Sequence, residues 1–167
     1  MNGYEGLKVL NLKKINSEGI KIVCQNRKAR HLYHIESTLE AGLVLLGPEV
    51  KSLREARASL GDGYVGFRYG EAWLHNVHIS PYPYAVNVGK LDPTRARKLL
   101  LNRREIRRLM GKIQERGYTL IPLRIYFKNG KAKVELALAK GKKLYDKRET
   151  MRRKTLEREF QRDYKIR

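Results

Sequence analysis

The sequence predicts a mainly β protein of the α+β class: an antiparallel barrel of about six strands with about three short helices and a basic C-terminal tail. Three observations support this fold class. Short segments alternate apolar and polar residues, turn signals such as Asn129-Gly130 separate them, and proline or asparagine marks the helix starts. Because a short chain with many strands hides its sheet edges most easily by curling closed, we expect a barrel.

The chain carries a large positive charge. Its 167 residues include 37 Lys and Arg against 17 Asp and Glu, which gives a formal net charge of +20. Such an excess repels itself unless a polyanion neutralises it, so a nucleic acid is the favoured partner and an anionic membrane the second. No run approaches the roughly 18 apolar residues that a membrane span needs, and no signal peptide is recognisable. Cys24 is the only cysteine, so an internal disulfide is impossible and a reducing, cytoplasmic location fits.

Three regions are predicted along the chain. Residues 1–20 show neither a strict period nor a cap and should form a flexible extension. The barrel domain is expected at 21–139 and the basic tail at 140–167. Near the start of the barrel, cations crowd one segment too densely for a buried strand. It is either a phosphate-contacting edge or the solvated start of the domain. Its residues are Asn26, Arg27, Lys28, Ala29, Arg30 and His31.

Two strand candidates precede the first helix. Tyr33 with Ile35, and then residues 43–46, predict strands, and the Glu-Ala-Gly sequence at 40–42 offers a turn or bulge between them. A helix should begin at the Gly-Pro-Glu sequence of 47–49. Proline is tolerated in the first helical turn, and glutamate complements the helix dipole there.

A hairpin follows, with strands at 64–69 and 72–77 and a turn at Gly70. Two prolines then predict a loop over 80–90. Aromatic side chains in the first strand and the hairpin could either stack on unpaired bases of a nucleic acid or pack in the core, and packing is the favoured interpretation. They are Tyr33, Tyr64, Phe67 and Tyr69.

Two helices are predicted to meet near Leu101. Asp92-Pro93 is typical of a helix start, with aspartate as the N-cap and proline at the first helical position. Asn102, followed three residues later by Glu105, is a second N-cap of the capping-box type. Apolar residues recur at helical spacing after it and should face the core.

The last hairpin and the tail complete the chain. Asn129-Gly130 is the strongest hairpin signal and should join strands at 118–127 and 131–138. A cationic stretch, 139–148, then leads into the tail. Leu156, Phe160 and Tyr164 recur every four residues there, which predicts a helix with one narrow apolar stripe, disordered when free and helical when docked.

No catalytic constellation stands out in the sequence. His75 and His78 should point to opposite faces of a strand, so they are not expected to share a metal ion. Gly141-Lys142 lacks the glycine five positions earlier that a phosphate-binding loop needs, and no serine stands in a nucleophile elbow. We therefore predict a binding protein rather than an enzyme, with no cofactor, metal ion or small-molecule substrate and no membrane partner.

Several blocks of the chain together resemble the SsrA-binding protein family, the bacterial partner of transfer-messenger RNA in the rescue of stalled ribosomes. The resemblance runs from about Ile20 through Arg148, and its blocks occur in the family's order. They are residues 26–31, 40–42, 49–54, 92–93, 97–101, 117–119 and 139–148.

The resemblance implies an oligonucleotide-binding-like (OB-like) barrel that binds the tRNA-like domain of transfer-messenger RNA in trans-translation. The protein would be required for stable association of that RNA with stalled ribosomes. Protein and RNA together would mimic a tRNA, the protein replacing the anticodon stem-loop and its tail occupying the empty mRNA channel. One alternative stays open: a basic protein that binds ribosomal RNA as a ribosomal or ribosome-assembly component.

The resemblance also assigns residues, position by position. The family positions used in RNA binding are matched by Glu40, Leu100, Asn102 and Lys133. The junction before the tail is matched by Lys140, Gly141, Lys142 and Lys143. The tail segment expected at the decoding centre of the ribosome is Tyr145, Asp146, Lys147 and Arg148. Together with the basic segment, the RNA-binding residues expected are Asn26, Arg27, Lys28, Arg30, His31, Glu40, Leu100, Asn102, Lys133, Lys140, Gly141, Lys142 and Lys143.

Overall fold

The computed structural model describes residues 19–85, 91–115, 117–143, 146, 148, 151–153 and 155–156. Within this part of the chain, nine strands and three helices have defined bounds, and the described residues beyond 143 are helical. The strands are β1 Lys21–Gln25, β2 Tyr33–Leu43, β3 Ala58–Ser59, β4 Tyr64–Arg68, β5 Glu71–His75, β6 His78–Ile79, β7 Arg97–Leu100, β8 Tyr118–Lys128 and β9 Lys131–Gly141. The helices are α1 Ala29–Leu32, α2 Gly47–Arg54 and α3 Arg103–Gln114.

Seven strands form one antiparallel sheet in the order β1-β8-β9-β2-β7-β5-β4, and β3 pairs with β6 in a separate ribbon. The sheet curls, because β4 at one edge packs against β8, the second strand from the other edge. The predicted fold class, an antiparallel β fold with short helices, is confirmed. The described chain has more strands than predicted, partly because two-residue strands such as β3 and β6 leave no alternating pattern in a sequence.

Apolar side chains pack on both faces of the curled sheet. The main core lies inside the curl and receives Leu53 from α2 and Leu109 from α3. A smaller cluster on the outer face includes Ile121 of β8 and Ala139 of β9, and Ala29 anchors α1 against it. This outer cluster therefore fixes α1 beside the strand ends that lead into the tail.

β2 is one strand of 11 residues, whereas the sequence predicts two strands, the second at 43–46, with a turn or bulge between them at 40–42; that prediction is wrong. The ladder with β9 is continuous except for a bulge between Ile35 and Ser37. The bulge moves the odd-numbered side chains of β2 from the outer to the inner face of the sheet. Ile35, before it, packs on the outer cluster, whereas Leu39 and Ala41, after it, pack on the inner core. Because the bulge shifts the alternation of inward and outward side chains within β2, the sequence pattern does not indicate a single strand.

The helix predicted from Asp92 and Pro93 is not formed, and β7 follows that turn instead. The Asp92 carboxylate accepts hydrogen bonds from the backbone N–H and the hydroxyl of Thr94, both at 2.8 Å. It therefore stabilises a turn, as aspartate often does. Arg97 and Leu99 are buried while the residue after each is not, which is the period of two that a strand requires.

The helix start predicted at Asn102 is confirmed. The backbone N–H of Asn102 donates to the Glu105 carboxylate at 2.9 Å, ahead of α3. Ile106 and Leu109 are the buried residues of this helix. Helix α2 likewise begins at Gly47, within the segment predicted to start it.

Two hairpins share one kind of turn. Tyr69-Gly70 joins β4 to β5 and Asn129-Gly130 joins β8 to β9, so both predicted hairpins are confirmed. The φ angles of these four residues are positive, at 52°, 72°, 51° and 73° in chain order. Positive φ at both positions of a two-residue loop is the type I′ turn, which favours asparagine and glycine. Tyrosine at its first position is therefore unusual.

Candidate nucleic-acid interface

A groove of about 790 Å³ lies on the outer side of the sheet, between β2, β7, β9, the β4–β5 turn and the start of α3. It brings together the four body residues that the resemblance assigns to RNA binding. Its lining includes Glu40, Tyr69, Leu100, Asn102, Arg107 and Lys133. We call this feature the groove.

Strand register explains why residues so far apart in sequence meet in the groove. Gly42 of β2 pairs with Lys133 of β9 on one side and with Leu100 of β7 on the other. A Cβ atom at position 42 would lie 3.1 Å from the Cβ of Leu100, so glycine allows this side chain to lie across the strand. Leu100 then remains 57% exposed and offers an apolar surface within the groove.

Glu40 of β2 is held by one side chain from β9, the adjacent strand, and one from β8, the strand beyond it. Lys133 Nζ lies 3.0 Å from its Oε1, and the hydroxyl of Tyr126 donates to its Oε2. Burial works to raise the pKa of Glu40, but hydrogen bonds from Tyr126 and Lys133 outweigh it and lower that pKa below its usual value. Burial and the same hydrogen bond raise the pKa of Tyr126. The carboxylate is thus ionised and fixed in orientation near neutral pH, ready to accept hydrogen bonds from a ligand.

Cations line the groove opposite this carboxylate. Arg103 and Arg107 of α3 are exposed, and the structure gives neither an ion pair within the described residues. Lys98 of β7 forms an ion pair with Glu71 of β5, and both residues line the groove. The groove therefore combines exposed guanidinium groups, suited to phosphates, with a fixed acceptor suited to amino groups of bases.

A second group of predicted residues gathers where α1 meets the end of β9. The backbone N–H of Lys142 donates to Leu32 O at 2.9 Å, and its Nζ donates to Arg30 O at 3.2 Å. Asn26 caps the segment, since its Oδ1 accepts from the Ala29 N–H at 3.1 Å. We call this group the junction cluster: Asn26, Arg27, Lys28, Arg30, His31, Lys140, Gly141, Lys142 and Lys143. Of the two interpretations left open, a phosphate edge and a solvated start, the exposed cations are compatible with both.

The groove and the junction cluster lie at opposite ends of the β2–β9 ladder. Tyr33 pairs with Gly141 at one end and Gly42 pairs with Lys133 at the other. Nine residue steps at about 3.3 Å each separate the ends, or roughly 30 Å. One rigid ladder thus sets the distance between the two groups.

The predicted decoding-centre segment begins directly after the junction cluster. Asp146 is half-buried and Arg148 is exposed, and both are helical. Tyr145 and Lys147 lie outside the described residues, as do Phe160 and Tyr164 of the predicted stripe.

The four candidate stacking aromatics separate into two pairs. Tyr33 packs against the outer cluster and Phe67 against the main core, so for these two the packing interpretation holds. Tyr64 is 47% exposed and stacks on His75, with ring centroids 5.2 Å apart. Tyr69 is 89% exposed.

Two general features bear on chemistry. Among the described residues, no three His, Cys, Asp or Glu side chains are grouped so that they could hold a metal ion. None of the helices in this part of the chain has the length and apolar character needed to cross a membrane.

The sequence profile of the SmpB protein family matches residues 23–166. The chain belongs to the SmpB protein family. Curated relatives named SsrA-binding protein support this: one from Trichodesmium erythraeum is 54% identical over 154 residues, which are 92% of this chain and 99% of that protein. Another, from Geobacter sulfurreducens, is 57% identical over 142 residues, which are 85% of this chain and 92% of that protein.

A solved structure of an SmpB protein is also similar. It is described as "tmRNA-SmpB: a journey to the center of the bacterial ribosome" and is 47% identical in sequence, with a TM-score of 0.64. The match covers 78% of this chain and 94% of that one. The curled antiparallel sheet is thus shared between this SmpB family chain and the solved one.

Sequence reasoning missed two groove residues, Arg103 and Arg107, and also Tyr126, whose hydroxyl supports Glu40 from outside the groove lining. The sequence contains a signal for the two arginines, because they stand one helical turn apart at the start of a predicted helix. Tyr126 had none, since only the register of β8 against β9 brings it to Glu40.

Proposed function

We propose that this SmpB family chain binds the tRNA-like domain of transfer-messenger RNA and is required for stable association of that RNA with stalled ribosomes. The groove is the observation that supports the proposal, because one surface brings Glu40, Leu100, Asn102 and Lys133 together with exposed arginines of α3. The relatives named SsrA-binding protein, and the similar SmpB chain described with tmRNA and the bacterial ribosome, support the same partner.

The groove and the junction cluster divide the work in this proposal. The groove binds the RNA through shape, phosphates and unpaired bases, because the deep major groove of an RNA stem is closed to side chains. The junction cluster directs the tail, residues 140–167, from the far end of the ladder into the ribosome. Protein and RNA together then take the place of a tRNA, with the protein standing for the anticodon stem-loop and the tail lying in the empty mRNA channel.

The tail is disordered in the free protein and becomes helical in the channel. The described tail residues are helical, and Thr155 Oγ1 donates to Met151 O at 3.1 Å, one turn earlier. An isolated helix of this length is marginal in water, so a negatively charged channel would supply most of its stabilisation. Asp146, Lys147 and Arg148, with Tyr145, contact the decoding centre in this arrangement.

The role is one of binding, without a catalytic step, a cofactor or a small-molecule substrate. It is carried out in the cytoplasm, where ribosomes translate. A role as a basic ribosomal or assembly protein that binds ribosomal RNA is the alternative, and the net charge of +20 would serve it equally well.

A competition assay separates these two functions. Labelled tRNA-like domain transcript is bound to the full chain near 150 mM salt, and unlabelled ribosomal RNA fragments of similar length are added in excess. We expect the labelled RNA to stay bound, because the groove recognises a particular shape as well as charge. Its displacement by the excess of ribosomal RNA would favour the alternative. Lys133→Ala should weaken binding of the transcript, whereas Lys131→Ala, on the same strand outside the groove, should not.

A further inference from the structure

Tyr69 occupies the rim of the groove at the tip of the β4–β5 hairpin. At 89%, it is the most exposed of the large hydrophobic side chains in the described part of the chain. It lines the same groove as Glu40, Leu100 and Lys133. Among the described residues, neither of the two apolar clusters includes this ring, so packing in the core does not account for it.

The backbone gives no local reason for tyrosine either. Tyr69 has a φ of 52°, in the left-handed region that side chains with a Cβ atom rarely adopt. Asn129 occupies the corresponding position of the other type I′ turn, at 51°, and asparagine is the residue that such turns favour. Strained positions of this kind persist where a side chain has a function.

The surroundings of the ring are cationic. The guanidinium carbon of Arg68 lies 5.1 Å from the Tyr69 ring centroid, and the exposed Arg107 lines the same groove. An exposed aromatic ring beside cations is the arrangement by which proteins hold unpaired bases: the ring stacks on the base while the cations neutralise the adjoining phosphates.

We propose that Tyr69 is a base-stacking residue of the groove, whose ring packs on an unpaired base of the bound RNA. This inference rests on the proposed function and extends it, because it assigns the groove a contact that none of the four resemblance residues supplies. It also distinguishes Tyr69 from Tyr33 and Phe67, whose rings are already occupied by packing within the protein.

Tyr69→Asn tests the inference without weakening the fold. The variant turn repeats the Asn-Gly sequence of the other hairpin, so its melting temperature should equal or exceed that of the wild type. Its affinity for the labelled tRNA-like domain transcript should fall roughly 5- to 150-fold, the effect of losing one stacked base. The dependence of affinity on salt should be unchanged, because stacking releases no counterions.

Matched variants complete the test. Tyr69→Phe and Tyr69→Trp keep a stacking surface and should keep wild-type affinity. Tyr84→Asn, which removes an exposed tyrosine outside the groove lining, should also bind normally. Wild-type affinity in Tyr69→Asn, an equal loss in Tyr69→Phe, or an equal loss in Tyr84→Asn would each overturn the inference.

The outcome for the inference is separable from that for the proposed function. If Lys133→Ala weakens binding and Tyr69→Asn does not, the stacking role is wrong and the RNA-binding function stands. If the wild-type chain itself does not bind the transcript, the proposed function fails and the stacking role fails with it.

Discussion

At the scale of single residues, Glu40 is oriented by the protein before any ligand is present. Tyr126 and Lys133 occupy one oxygen each. Each carboxylate oxygen has a further lone pair, so the group can accept hydrogen bonds from RNA while it keeps its supports. In the proposed complex, this carboxylate would therefore act as a selective acceptor and not as a general repellent of RNA.

Replacing Tyr126 with phenylalanine is expected to raise the pKa of Glu40. The Tyr126 hydroxyl is one of the hydrogen bonds that lower this pKa below the usual 4.5. In the wild type, the contribution of Glu40 to stability is present above pH 4.5 and is lost as the pH falls through its lower folded pKa. In the variant this contribution should be smaller, and its loss should be complete at a higher pH, because the folded pKa lies closer to 4.5. Carbon-13 NMR titration of the glutamate carboxyl groups measures the shift.

Tyr118→Phe provides the control for that titration. Tyr118 lies on the same strand, but its hydroxyl bonds to Glu36 rather than Glu40. The pKa of Glu40 should therefore stay at its wild-type value in this variant. A Glu40 titration that is identical in Tyr126→Phe and the wild type would contradict the proposed support.

The groove residues show how far prediction reaches at this scale. Glu40, Leu100, Asn102 and Lys133 were assigned through family resemblance, since neither charge nor periodicity marks them out. Their convergence depends on strand register, and a bulge between Ile35 and Ser37 shifts the register of β2 against β9. A one-residue shift of this kind reverses every later side chain, so it cannot be deduced from alternation alone.

At the scale of elements, a buried ionic network joins α2 to β7, the strand that leads into the groove. Glu49 is 3% exposed and its carboxylate accepts from the Leu46 N–H at 2.8 Å, at the start of α2. Arg97 is fully buried, donates from Nε to Glu49 at 2.8 Å, and from Nη1 to Val77 O at 2.6 Å. The network fixes where β7 begins and hence where Leu100 emerges.

Glu49→Gln should destabilise the protein by about 3–5 kcal/mol, because it leaves the buried Arg97 without its counter-charge. Urea denaturation measures the change as a lower midpoint at constant slope. Glu55→Gln is the control, since Glu55 forms only an exposed ion pair with Arg57, at 2.9 Å. Its effect should stay within about 0.5 kcal/mol. Equal midpoints for the two variants would contradict a structural role for the network.

β7 also explains the main error at this scale. The sequence around Asp92 and Pro93 has the residues that favour a helix start. Such local preferences produce a helix only where the tertiary contacts are compatible with one. Here Arg97 must reach Glu49, 48 residues earlier in the chain. A long-range ion pair leaves no local pattern, whereas the Asn129-Gly130 turn is purely local and was predicted correctly.

At the scale of the whole molecule, the proposed RNA-binding groove and the junction cluster lie at opposite ends of the β2–β9 ladder. Truncation after Gly141 removes the tail beyond β9 but leaves the groove intact. Affinity for the tRNA-like domain should remain within about threefold of wild type, a change below 1 kcal/mol. Peptide tagging on stalled ribosomes should be abolished, as measured in a reconstituted translation system.

The converse variant, Lys133→Ala with the tail intact, should lose both activities. A truncated chain that loses RNA affinity as severely as it loses tagging would show that the two ends are not independent. Hydrogen exchange provides a direct view of the tail: amides beyond Asp146 should exchange much faster than those of β9 in the free protein.

The bulge after Ile35 has one more consequence. By adding a single unpaired position to β2, it lets one strand face the outer cluster in its first part and the inner core in its second. Without that extra position the side chains would alternate regularly along β2, and Ile35 and Leu39 would lie on the same face of the sheet. The separation of the acidic acceptor on the outer face of the curled sheet from the aliphatic residues on its inner face therefore depends on one extra residue in the β2–β9 ladder.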